Sequence, residues 1–104
     1  MLIQINTDKN IDGGERTNAY FSGVIENALS RFTEHVTRVE AHLSDENSLK
    51  EGPDDKKCVL EARVKGLQPI AVTHKAESLG QAVIGAADKM KSALERTIAK
   101  MRVF

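Results

Sequence analysis

Three cations, Lys89, Arg96 and Lys100, recur at spacings of seven and four residues near the end of this chain. At 100° per residue they fall within about 40° of one another on a helix. Such a row can neutralise phosphates on a polyanion, provided that a rigid scaffold holds it. The scaffold is legible in the same stretch. Leu79, Val83, Ala86, Met90, Leu94 and Met101 form one apolar stripe, so Leu79 to Arg102 reads as one helix with the cations on a flank. Lys91 and Arg102 fall on the opposite flank, Lys91 where it could border a groove between helices. Between Lys89 and the C-terminus five bases face one acid, Glu95, whereas Asp45 to Asp55 holds five acids and one lysine. The formal net charge of the 104 residues is zero, so charge is segregated rather than accumulated. A neutral chain argues against indiscriminate adhesion to nucleic acid but leaves local binding open.

Other candidate chemistry is thin. Arg31 lies close in helical angle to Tyr20 and Asn27, where a guanidinium beside an aromatic can stack on bases or pair with phosphate; the plainer reading pairs it with Glu34 or Asn27. Arg38, Arg63, Lys65 and Lys75 form a second basic set on strand faces, for which ion pairing with Glu40 and Glu61 is the ordinary explanation. His35, His42, His74 and Cys58 fit no compact zinc spacing, and strand alternation turns His42 away from Cys58. No metal and no cofactor is expected. His74 shares a face with Ile70 and Val72 and reads as a structural histidine; Cys58 reads as a small buried hydrophobe. No nucleophile has a visible base and no glycine loop follows a strand, so no enzymatic activity and no small-molecule substrate are expected.

The elements that must position these residues follow from periodicity. Leu2 to Asn6 alternates as a short strand. Asn10 to Gly14 is a turn. From Glu15 to Phe32, Phe21, Val24, Ile25, Ala28 and Phe32 mark an amphipathic helix. Val36 to Ser44, Cys58 to Lys65 and Ile70 to Ala76 alternate again, with residues 45–55 as an acidic loop. The predicted order is β-α-β-β-β-α, an α+β fold in one domain spanning 1–104. Half-polar strands need cover on one face, so both helices should pack on the same side of a four-stranded sheet. The first crossover should be parallel and the later strands a meander. Gly85 would allow the final helix to approach the first closely. No apolar run reaches membrane-spanning length, no secretory signal is visible, and a lone cysteine fits a reducing cytoplasm, so a cytoplasmic protein is expected.

Several strings resemble the ribosome hibernation-promoting factor family, which includes the ribosome-associated inhibitor and was once called sigma-factor modulation protein. They are Val39-Glu40-Ala41-His42-Leu43-Ser44, Cys58-Val59-Leu60-Glu61-Ala62-Arg63, Ala76-Glu77, Ala82-Val83, Asp88-Lys89-Met90 and Leu94-Glu95-Arg96. The resemblance implies a translation inhibitor that binds the decoding region of the small ribosomal subunit and blocks messenger and transfer RNA in stationary phase or stress. Its partners would be that subunit and its ribosomal RNA, with no DNA and no membrane. Lys89, Arg96 and Lys100 are then the first RNA-binding candidates, followed by Lys91 and Arg31. A monomer without the dimerisation domain of the long family form is expected. Two features depart from the family: the first helix has only Arg16 and Arg31 beside Glu15, Glu26 and Glu34, and the acidic loop is longer than usual. They motivate an alternative, a diverged interaction adaptor of the same fold that does not bind ribosomes.

Overall fold

A computed structural model describes residues 1–8, 11, 14–45 and 56–101. Its order is β1 (Leu2–Thr7), α1 (Glu15–Ala28), a 3-10 turn (Ser30–Phe32), β2 (Val36–Asp45), β3 (Lys56–Val64), β4 (Ile70–Ala76) and α2 (Leu79–Met101). The four strands form one sheet in the order β1-β2-β3-β4, with β1 parallel to β2 and the other pairs antiparallel. This is the predicted α+β arrangement. Most of the predicted acidic loop, together with Arg102, lies outside the described residues.

Strand alternation builds the core. Val36, Val39, Ala41 and Leu43 of β2 and Cys58, Leu60, Ala62 and Val64 of β3 are buried toward the helices. Helix α2 lays Ala82, Val83, Ala86, Ala87, Met90, Leu94 and Ile98 on β3 and β4, while α1 packs beside it over β1 through Phe21 and Ile25. The predicted stripe is therefore wider than its first members, and Met101, at 39% exposure, falls off its end. The core is wholly apolar among the described residues. The opposite sheet face carries mostly polar side chains, and no element covers it among the described residues.

The first helix is shorter than periodicity suggested. It ends at Ala28; Leu29 is its C-cap, and the Phe32 amide donates to Leu29 O at 3.0 Å in the tighter turn that follows. Apolar spacing persists through Phe32 because the turn still buries that ring, so burial outlasts the α-helical bond pattern. Because β1 and β2 run parallel, α1 points back down the sheet, and α2, after the short link from β4, points the same way. The two helices thus run side by side in one direction, and both C-termini share an end of the molecule with the start of β2 and the turn between β3 and β4. At that turn the Leu67 amide donates to Val64 O at 3.1 Å, and Gly66 takes φ 76°, the left-handed conformation that favours glycine there.

Gly85 permits a close approach, but to the sheet and not to α1. A β-carbon placed on it would overlap Cδ2 and Nε2 of His74, so the imidazole of β4 lies directly against the α2 backbone.

Candidate nucleic-acid interface

Helix α2 is held by seven buried side chains along one face, so cations on its flanks stand on a fixed rail. Lys89, Lys91, Arg96 and Lys100 are all exposed. Lys89 and Arg96 line a shallow groove on the β4 flank with Val72, Asp88 and Ser92. There Lys89 Nζ donates to Thr73 O at 2.8 Å, bonding the ammonium to a backbone carbonyl of the edge strand β4. The carbonyl leaves the ammonium its full charge and two further N–H donors. Lys100 continues the row by helical phase, and Arg96 and Lys100 have no ion-pair partner among the described residues.

Arg31 lies on the other flank. Its groove is bordered by Phe32, Glu34, His35, Glu95, Ile98 and Ala99. The guanidinium pairs with Glu95, 64 residues away, and sits 5.0 Å from the Phe32 ring centroid. The plainer reading of Arg31 as a paired cation therefore describes it, with Glu95 in place of Glu34 or Asn27. Sequence spacing could not find this partner, because Glu95 reaches Arg31 only when α2 lies beside the 3-10 turn. Both side chains are about half exposed, at 59% and 44%, so the pair is screened and contributes little stability. Lys91, one helical turn before Glu95, is exposed on the same flank and has no ion-pair partner among the described residues. Tyr20 is 64% exposed and tilted against Phe21 at 5.6 Å, and the ring that Arg31 sits over is that of Phe32. The candidates thus divide into a row on the β4 flank, Lys89, Arg96 and Lys100, without ion pairs among the described residues, and Arg31, paired with Glu95, beside Lys91 on the other flank.

Packing or local pairing accounts for Cys58, His74 and His42. Cys58 is fully buried, and burial pushes its thiol pKa from 9.0 up to about 12. Opposite it in register, His74 occupies the helix-facing side of β4. His42 faces outward on the open sheet, 3.6 Å from Glu40, which also holds Arg38 at 2.9 Å. The Arg38–Glu40 ion pair runs along β2, and across the sheet Arg38 donates to Gln4. No cluster of three or more potential metal ligands occurs among the described residues. None of the described helices is long and apolar enough to cross a membrane.

Residues 3–102 match the family model described as sigma 54 modulation protein / S30EA ribosomal protein. The chain belongs to that family. Two solved structures share the S30EA fold found here. The N-terminal domain of Thermus thermophilus Protein Y superposes with a TM-score of 0.74 at 15% identity, covering 93% of this chain and 99% of that one. A ribosomal subunit interface protein from Coxiella burnetii gives 0.70 at 14% identity, with 95% and 99% covered. No curated protein sequence matches this chain. Membership of the S30EA family bears out the resemblance drawn from local strings and makes this a ribosome-associated protein by family.

Proposed function

We propose that this chain is a non-enzymatic, cytoplasmic inhibitor of translation that binds ribosomal RNA in the decoding region of the small subunit and excludes messenger and transfer RNA. The observation that carries the reading is the row Lys89, Arg96 and Lys100, exposed on the flank of a helix whose adjoining face is locked into the core. Cations on a preorganised surface neutralise phosphates with little ordering cost, and folded RNA is recognised mainly through its backbone and shape. Membership of the S30EA family and the ribosomal subunit interface protein among the structural neighbours support the ribosome as the partner. Lys91 is a secondary contact, and Arg31 contributes once a phosphate competes with Glu95.

Cosedimentation with purified small subunits tests this. Pelleting should occur at low salt, weaken steeply as salt rises by roughly 0.7 log units per phosphate contact per log unit of salt, and be competed by transfer RNA. The Lys89→Glu, Arg96→Glu double variant should lose association while keeping its unfolding midpoint. Unchanged pelleting in that variant would overturn the site, and absence of pelleting by the wild-type chain would favour the adaptor alternative.

A further inference from the structure

Cations at the two ends of the sheet differ in how they are engaged. At the end where β2 finishes and β3 begins, Lys56 pairs with Asp45 at 3.3 Å, and Lys57 and Lys75 are also engaged. At the other end stand the last residues of β3, the turn into β4 and the C-termini of both helices. Arg63 and Lys65 lie there, exposed and without an ion-pair partner among the described residues. Arg63 is in register with Arg38, so two guanidinium groups share one row of the open sheet face. Glu40 and Gln4 occupy Arg38, which leaves Arg63 without an ion-pair partner among the described residues. The Lys65 amide donates to His35 O at 2.9 Å, which ties this corner to the segment between Phe32 and β2.

Helix dipoles account for cations such as Lys100 near the end of α2, since a helix C-terminus favours positive charge. They do not account for Arg63 and Lys65, which lie at a strand end. Of the nearby acids, Glu95 is held by Arg31 and Glu40 by Arg38, leaving Glu34 and Glu61 as local negative charge. The nine residues of β3 separate the two ends by about 30 Å, at roughly 3.3 Å per residue. That exceeds the Debye length of about 8 Å at physiological salt, so Asp8, Asp45 and Glu77 at the far end do not cancel this field.

We propose that Arg63 and Lys65 form a second phosphate-binding surface, continuous around this end with Lys100 and Arg96, and that the domain grips its RNA by its end as well as by the flank of α2. The inference rests on the ribosomal RNA reading above and adds to it a contact made from the sheet. The ligand is the phosphate backbone of folded RNA.

The test measures the salt dependence of small-subunit binding for the wild-type chain, for Arg63→Gln, Lys65→Gln and for Lys57→Gln, Lys75→Gln. Loss of two phosphate contacts should make the log–log slope shallower by about 1.4 and weaken binding tenfold or more at low salt in the first double variant only. Lys65 should also become protected from an amine-acylating reagent on the subunit, and Lys57 should not. Wild-type affinity and slope in Arg63→Gln, Lys65→Gln, or unprotected Lys65, would overturn this surface while leaving the α2 site standing. A wild-type chain that does not pellet would overturn both.

Discussion

Gly85 stands in mid-helix, where alanine would ordinarily be preferred by about 1 kcal/mol. His74 reverses that preference, because its ring fills the space a β-carbon would take. Gly85→Ala is expected to destabilise the domain by about 1–3 kcal/mol, the range for overpacking a filled site. In urea unfolding, Gly85→Ala combined with His74→Ala should cost clearly less than the sum of the two single changes. A stabilising Gly85→Ala would refute the contact. Cys58 gives a second residue-scale expectation. Its folded pKa, about 12, lies above its unfolded value, so the unfolded chain loses the thiol proton first as pH rises. The associated stability is intact below about pH 8.5 and falls progressively toward pH 12, by at most about 1.4 kcal/mol per pH unit. Thermal unfolding of the wild type should therefore decline more steeply than that of Cys58→Ala between pH 9 and 11. Parallel curves would show that the thiol is not sequestered.

At the scale of elements, α2 supplies core from one face and exposed cations from its flanks. Its buried face is continuous from Ala82 to Ile98, and its flanks differ in what lies beside them. Beside β4, Lys89 bonds the edge carbonyl of Thr73, which also discourages another strand from pairing there. Beside the 3-10 turn, Glu95 holds Arg31. Because that pair is half exposed, Glu95→Gln should change unfolding stability by less than about 1 kcal/mol. It should tighten small-subunit binding if Arg31 contacts phosphate, because the competing carboxylate charge is gone. Unchanged or weaker binding in a cosedimentation titration would remove Arg31 from the interface.

For the whole molecule, neutrality in sum hides a division of labour. The core has no buried charge among the described residues, so folding rests on apolar burial and is nearly indifferent to screening. On the proposed reading, association depends instead on surface cations. Raising salt from low to moderate should leave the unfolding midpoint within a few degrees while abolishing ribosome binding, measured on the same samples. A midpoint that collapses with binding would mean that the loss of association merely reports unfolding.

Periodicity in the sequence determined the element order, the parallel crossover pair and the single covered face, because 3.6-residue and two-residue repeats each record which side meets the core. The row Lys89, Arg96 and Lys100 was legible for the same reason: its geometry is internal to one helix. The wider buried face through Ile98 and the early end of α1 were not, since neighbouring elements decide how much of a helix is covered and where it gives way to a tighter turn. Nor could spacing reveal that Arg31 meets Glu95, that Gly85 receives His74, or that Arg63 is left unpaired when Arg38 takes Glu40. Each of these depends on residues brought together from different elements or on a choice among equally spaced partners. Local sequence fixes the phase of a side chain within its own helix or strand, but its partner is set only when the sheet register and the two parallel helices are in place.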